Sequence, residues 1–409
     1  MAPAWHGWVM SRVVVLGGCG GIGTVATRVL VQAGGFDEVV VADVRADDAR
    51  SLAASVGGGA TGMGVDAGSP ASLAGAMRGA DVVVNCVGPF YRFGPAVLAA
   101  AIAEGLDYVD VCDDLDATRA QLELDGAART AGVCAVVGMG NSPGLANLFA
   151  RFAADELVDQ TVAVDIMHVH GGEPDEGAGV VKHRIHAMVD PVPVYVDGSF
   201  REVRLLEHSG SELVEPTNFR VVGTVPVYPY PHPETITLPR HLPGLQRATN
   251  RGVVIPLSYF EHTMAVVRAG LAAHPDPDES VIDGWVDEIL AERERLLDEA
   301  GLHGPRGCLK VVVDGLVDGE AHRYVFSLSS ATGGAGEGTG IPVAVGAMLL
   351  SEGVISGPGV HPPEAAVPPL ALFERALAAL GRLDGSGAGA IDIEHHRPDG
   401  TVEDLPLPF

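Results

Sequence analysis

The sequence predicts an α/β protein in which a doubly wound parallel sheet is joined to a second, antiparallel one. Strand-like apolar runs alternate with helical runs from Met10 to about residue 147, as parallel strands with helical crossovers do. Far downstream, "LKVVVDGLVDGEAHRYVFSLSS" holds two alternating runs around Asp318-Gly319, a hairpin foreign to an all-parallel sheet. The 409 residues, 47% hydrophobic and 19% charged, suffice for two units with separate cores.

Residues 1–9, "MAPAWHGWV", lack periodicity and read as a tail. The next stretch, "RVVVLGGCGGIGTVATRVLVQAG", is an apolar strand, a glycine turn and an amphipathic helix. Gly18, Gly20 and Gly23 form GxGxxG, with roles in the tight turn, the approach of backbone to a pyrophosphate, and helix packing. The phosphates are expected on the helix N-terminus at Gly21 and Ile22. The second strand, "EVVVADV", reaches Asp43, placed to accept the hydroxyls of an adenosine ribose, which favours NAD. Arg45 can hold a 2'-phosphate instead, so NADP stays open.

A third strand in "TGMGVDAG" is expected to end at Asp66 and Ala67 beside the adenine. The fourth, "ADVVVNCVGPF", delivers Cys86, Val87, Gly88 and Pro89 to the carboxyl edge of the sheet, where open α/β sheets bind ligands. Phe90 and Tyr91 follow as substrate candidates. After the fifth strand come Asp113 and Asp114, carboxylates able to attract an ammonium or accept its proton, or else to cap the next helix. After the sixth, the turn "GNSPG" offers Asn141, Pro143 and Gly144 to a substrate, or serves as a connector.

Net charge of -27 without a basic cluster argues against nucleic acid and anionic membranes. No apolar run approaches bilayer length and no signal peptide opens the chain, so a cytoplasmic protein is expected. Five scattered cysteines without CxxC pairs suit reduced thiols, with neither zinc nor an iron-sulfur cluster. His168 and His170 share one face of a strand, yet no further ligands stand at fixed spacing, so no metal is expected.

The stretch "YPYPHPETITLPRH" is dense in proline and reads as a rigid loop. On it, Arg240 can offer a fork to a substrate carboxylate while His232 or Glu234 addresses an amine; a dimer-interface arm is the other reading. Lys182 and His183, opening a helix behind a glycine-rich turn with Glu173, Asp175 and Glu176, are a candidate acid-base pair or carboxylate anchor. "PDESVIDGWVDEILAERERLLDEAG" is an amphipathic surface helix. "GSGAGA" from Gly385 marks a break before an acidic tail to residue 409.

The runs "VVVLGGCGGIG", "VDAGSPASLAGAMRGADVVVNCVGPF", "DYVDVCDD", "GMGNSPGLANLFA", "GGEPDEGAG", "HPETITLPR" and "GVHPPE" together resemble the saccharopine dehydrogenase family, notably its lysine 6-dehydrogenase-like branch. The resemblance implies a Rossmann domain (10–147 plus about 336–384) with an inserted α+β substrate and dimerisation domain (148–335). The helix "IPVAVGAMLLSEG" would return to the first domain. It further implies a homodimeric NAD(P)-dependent oxidoreductase transferring hydride at a carbon-nitrogen bond of an amino-acid or amine substrate. Reductive condensation of the carboxyspermidine type and a nucleotide-sensing protein without turnover are the alternatives.

Overall fold

The computed structural model describes residues 11–173, 176–330, 335–384 and 390–407. The first sheet has seven parallel strands in the spatial order Gly359–His361, Cys134–Val136, Asp107–Asp110, Val82–Asn85, Arg12–Leu16, Glu38–Asp43, Thr61–Gly64. Its β-branched runs are sealed on both faces; Val13, Val14, Val15 and Leu16 are all 0% exposed. Chain order reverses between Arg12–Leu16 and Val82–Asn85, which opens a crevice at the carboxyl ends of these two strands. The third strand stops at Gly64, short of the expected Asp66 and Ala67, and the Asp66 carboxylate instead turns back onto Gly68 N–H at 2.8 Å.

A buried carboxylate ties the far loops of this sheet together. Asp110 accepts the N–H groups of Cys112 at 3.0 Å and Gly138 at 2.7 Å, and the Tyr108 hydroxyl at 2.8 Å. The loops after the fifth and sixth strands therefore leave the sheet locked in register with each other.

The second sheet is mixed. Gln160–Gly171 lies between Arg247–Ile255, parallel to it, and Arg306–Val317, antiparallel. Arg306–Val317 forms the expected hairpin with Glu320–Ser330, with Asp318 and Gly319 both at positive φ in the turn. On the other flank Gly223–Pro229 pairs with Arg247–Ile255 and carries Glu215–Phe219 at its edge, while Val192–Val196 and Ser199–Val203 form a side hairpin.

Two expectations are corrected. The acidic end is no tail: Ala390–His396 pairs with Glu320–Ser330, and Val402–Leu405 closes the sheet beyond it. Its alternation, with Ile393 buried while Asp392 and Glu394 reach Arg220 at 3.1 and 3.9 Å, is that of a half-buried strand, which its acidic content disguised. The proline-dense stretch is not one rigid loop either. Tyr228 and Pro229 end a strand, and Glu234–His241 is a helix, with Pro233 at its N-cap and Pro239 in its last turn. Proline is tolerated at the N-cap because a helix start has no intrahelical partner for the missing N–H, while Pro239 removes one N–H to carbonyl bond near the end of a helix of only eight residues.

Helix Leu145–Glu156 joins the layers. Phe149 stacks on Phe326 of the second sheet (centroids 5.2 Å) and on Phe373 of helix Pro369–Asp384 (5.0 Å), so the sheets share one core. Helix Ala335–Ser351 returns as expected to the first sheet, where a Cβ on Gly340 would meet the Val25 Cβ of helix Gly21–Ala33 at 2.8 Å. Helix Glu279–Glu299 lies on Leu257–Ala273 through an apolar face that includes Trp285 and Ile289. Among the described residues no helix is long and apolar enough to cross a membrane. Residues 1–9, Asp175 and residues 385–389 lie outside the described residues, and with them the first expected tail and the glycine break.

Candidate active site

The glycine turn is shaped for phosphate. Gly17 has φ of 71°, and a Cβ there would meet Cys86 O at 2.8 Å; a Cβ on Gly23 would strike Gly17 O and lie 2.7 Å from Gly18 Cα. At Gly21 an added Cβ meets nothing within 4 Å, so backbone and open space face each other. The helix that starts there has neither a side-chain cap nor an acidic residue in its first turn. Its N–H groups and positive dipole end are left for an anion, and they fit a dinucleotide pyrophosphate.

At the end of the second strand, the buried Asp43 carboxylate accepts Cys19 N–H at 3.0 Å and the backbone N–H and Nε of Arg45 at 3.1 and 3.3 Å. Arg45 in turn donates to Cys19 O at 3.1 Å and keeps most of its guanidinium exposed. Both groups bracket the place of an adenosine ribose: the carboxylate suits its hydroxyls, the guanidinium a 2'-phosphate.

A cleft of about 420 Å³ runs from Ile22 of this helix to the second sheet, lined by Asp113, Gly140 to Pro143, His168, His183, Arg184, Tyr230 and His232 among others. His183 Nε2 lies 3.7 Å from Asp113 Oδ2, and one ligand atom each from Asp113, His183 and His232 converge within 4.8 Å of one another. His168 stacks on His232 (centroids 5.1 Å, 11° between planes) with Tyr230 edge-on to both. The stack needs Gly252 opposite His168, because a Cβ there would collide with the imidazole. Burial, reinforced by His170, pushes His168 down to about 3. Burial and its neighbour His168 hold His232 well below the usual histidine range, so both rings stay neutral.

Behind the rings sits a polar knot. Ser142 Oγ donates to Glu234 and lies 3.3 Å from His232 Nδ1, while Asn250 Nδ2 donates to Ser142 Oγ at 3.2 Å and to Glu234 Oε1 at 3.3 Å. Glu234 is 0% exposed, and burial pushes it up to about 7 although the Ser142 hydroxyl pulls it down. On the other side of His183, Arg184 is only 2% exposed. It pairs with Glu176, which also accepts Tyr259 OH at 2.7 Å and Arg293 Nε at 3.1 Å. Against its burial, Arg184 and Arg293 hold Glu176 below the usual range. One carboxylate thus serves two guanidinium groups, and Arg184 Nη1 remains buried on the cleft wall without a partner among the described residues.

Residues 13–136 match the family model described as "Saccharopine dehydrogenase NADP binding domain". This stretch is similar to the dinucleotide-binding domain of the saccharopine dehydrogenase family. A carboxyaminopropylagmatine dehydrogenase of Synechocystis sp. is 22% identical over 379 residues, covering 86% of this chain and 92% of that protein. The saccharopine dehydrogenase (L-Glu forming) of Saccharomyces cerevisiae shares the fold at a TM-score of 0.65, with 17% identity and coverage of 97% and 100%. A putative trans-acting enoyl reductase of Mycobacterium tuberculosis is 27% identical over 167 residues, 37% of this chain and 39% of its own length.

In this saccharopine dehydrogenase-like chain the predicted residues divide sharply. Asp113, His183, Asn141, Pro143 and His232 line the cleft, and Glu234 backs it. Asp114 is the N-cap of helix Leu115–Leu122, accepting Ala117 N–H at 2.8 Å, and does not line the cleft. Lys182 turns away to Glu279 and Asp283, at 2.5 and 2.7 Å, whose hydrogen bonds raise its pKa. Arg240 is exposed at the end of its helix, away from the cleft wall, because helical rather than extended geometry carries it past the site. Phe90 is packed into the core and Tyr91 is exposed against His186 (5.9 Å between rings). Gly144, at φ 123°, closes the turn against Gly140. Cys86 and Val87 lie beside the glycine turn at the carboxyl edge, and Gly88 and Pro89 lead on into helix Phe90–Glu104, with Pro89 at its N-cap.

Sequence reasoning missed Ser142, Arg184, Tyr230 and Asn250. Tyr230 and Ser142 stand inside stretches already singled out. Arg184 directly follows the Lys182-His183 pair, where only its burial distinguishes it from a surface arginine.

Proposed function

We propose that this protein is an NAD(P)-dependent oxidoreductase that interconverts an amine and an imine at a carbon-nitrogen bond of an amino-acid substrate. The observation that carries the reading is the surplus guanidinium N–H of buried Arg184, on the same cleft wall as the Asp113–His183 pair and within one cavity of the dinucleotide helix. Arg184 binds the substrate carboxylate in this reading, in place of the expected Arg240. Asp113 attracts the ammonium, and His183 takes its proton, so that the free amine lone pair is available as the C–H bond is cleaved. A bound nicotinamide supplies or accepts the hydride. In the reductive direction His183 returns the proton to nitrogen. The neutral, stacked His168 and His232 wall the reacting carbon without adding a charge that would repel an iminium.

Reduction of an imine formed by condensation of an amine with a carbonyl compound fits this arrangement as well as oxidative deamination does. A homodimer in the cytoplasm, with residues 148–335 as the substrate unit, completes the proposal.

The test follows reduced-nicotinamide absorbance across amino acids and across mixtures of amines with oxo acids or semialdehydes. Asp113→Asn and His183→Ala are expected to lose turnover by at least a hundredfold while binding NADPH as before. Dinucleotide binding without turnover of any substrate in the panel returns the reading to a sensing protein.

A further inference from the structure

The cleft continues beyond the reacting groups. Strand register makes His168, Leu309, Leu328 and Ile391 successive partners across four neighbouring strands. Partners directly opposite in a sheet share a face, and three strand spacings carry this row about 14 Å. All four residues line the same cavity. The wall facing them is Phe373, Ala376 and Leu377, one face of helix Pro369–Asp384.

Within the shared core, Leu328, Ala376, Leu377 and Ile391 are left only half-buried, their free sides toward the cavity. The charged residues of the wall lie elsewhere. Asp113 and Arg184 are at the reacting end, Glu173 follows strand Gln160–Gly171, Arg306 opens its strand opposite Gly171, and Glu337 is in the first turn of its helix. Among the described residues no carboxylate, ammonium or guanidinium stands on the His168–Ile391 row or on the helix face formed by Phe373, Ala376 and Leu377.

We propose that the substrate carries an uncharged aliphatic arm, which leaves the carbon-nitrogen bond and lies along Leu309, Leu328 and Ile391. This rests on the amino-acid reading of the site and narrows it. An ammonium or guanidinium arm would be desolvated there without a carboxylate to meet it, whereas each methylene gains from burial. In the reductive direction the arm enters as an alkylamine condensed with an oxo acid: the C=N bond takes hydride at carbon and a proton at nitrogen, giving an N-alkyl amino acid.

The experiment measures binding of N-methyl, N-propyl and N-hexyl glutamate, and of an N-(aminohexyl) analogue, to the NADP-loaded protein by calorimetry, with kcat/KM where turnover occurs. Affinity is expected to rise about fourfold per methylene until the channel is full. The aminohexyl analogue is expected to bind more weakly than the hexyl one. Leu377→Trp, which fills the channel away from the reacting groups, should abolish the gain with length and leave the N-methyl compound unaffected. Equal affinity at all lengths, as when the chain's own residues fill the channel, overturns the proposal, and so does a preference for the aminohexyl arm. Failure of every compound, N-methyl included, overturns the amino-acid reading as well.

Discussion

Replacing Arg184 by Met removes the positive end while keeping a long apolar stem in the same buried volume. Glu176 then retains Tyr259 OH at 2.7 Å and Arg293 Nε at 3.1 Å, so its carboxylate stays paired and the fold should survive. The substrate loses one charged hydrogen-bonding partner, worth about 1.5–3 kcal/mol, which corresponds to roughly ten- to a hundredfold. That loss should appear in KM, since the carboxylate is bound equally in ground and transition states. Steady-state kinetics on the preferred substrate, beside NADPH titration and thermal unfolding, separates the possibilities. Arg184→Lys should restore little, because a point charge does not reproduce the planar fork shared between Glu176 and a second carboxylate. An unchanged KM with only a lowered Tm would show that Arg184 merely neutralises Glu176, and the substrate assignment would fall.

Three further outcomes follow from the same geometry. Glu234 has its pKa raised from 4.5 to about 7, so its contribution to stability is full below pH 4.5 and lost as pH rises through 7. Glu234→Gln should therefore gain stability relative to wild type across that window, by up to about 3 kcal/mol; a difference that stays flat in urea titrations from acid to neutral pH refutes the shift. The convergence of Asp113, His183 and His232 suits a borderline divalent ion, so added zinc should bind and inhibit, EDTA should reverse the inhibition, and His183→Ala should lose this zinc binding by calorimetry. Binding that persists in the variant places zinc elsewhere. Arg45→Ala should weaken NADPH roughly twofold to fivefold and leave NADH nearly untouched, because an exposed guanidinium offers one screened contact to a 2'-phosphate; equal losses for both dinucleotides would point to damage in the glycine turn.

The nucleotide half was legible because each of its features is local. A run of buried valines, a glycine spacing and an acidic strand end are all readable within about thirty residues, and they stand where expected. Asp113, His183 and His232 were also singled out, each as a polar residue beside a turn or strand end, and the fold brings them together on one cleft wall. What was lost depended on direction. Lys182 and His183 are adjacent, and the helix sends one to Asp283 and the other to Asp113. Asp113 and Asp114 part in the same way at a helix start. Arg240 was misplaced because prolines at both ends of a short helix imitate a loop, and Asn250 was invisible because only pairing of Arg247–Ile255 beside Gln160–Gly171 brings it under Ser142.

The two outermost strands of the large sheet bear on assembly. Glu215–Phe219 carries Pro216, which has no N–H to give an incoming strand, and Val402–Leu405 carries Glu403 and Asp404. A second copy approaching either of these rims would meet a missing donor or its own negative charge, so strand pairing from molecule to molecule is disfavoured at both of them. At these two rims the sheet is finite by composition, and they are left to water.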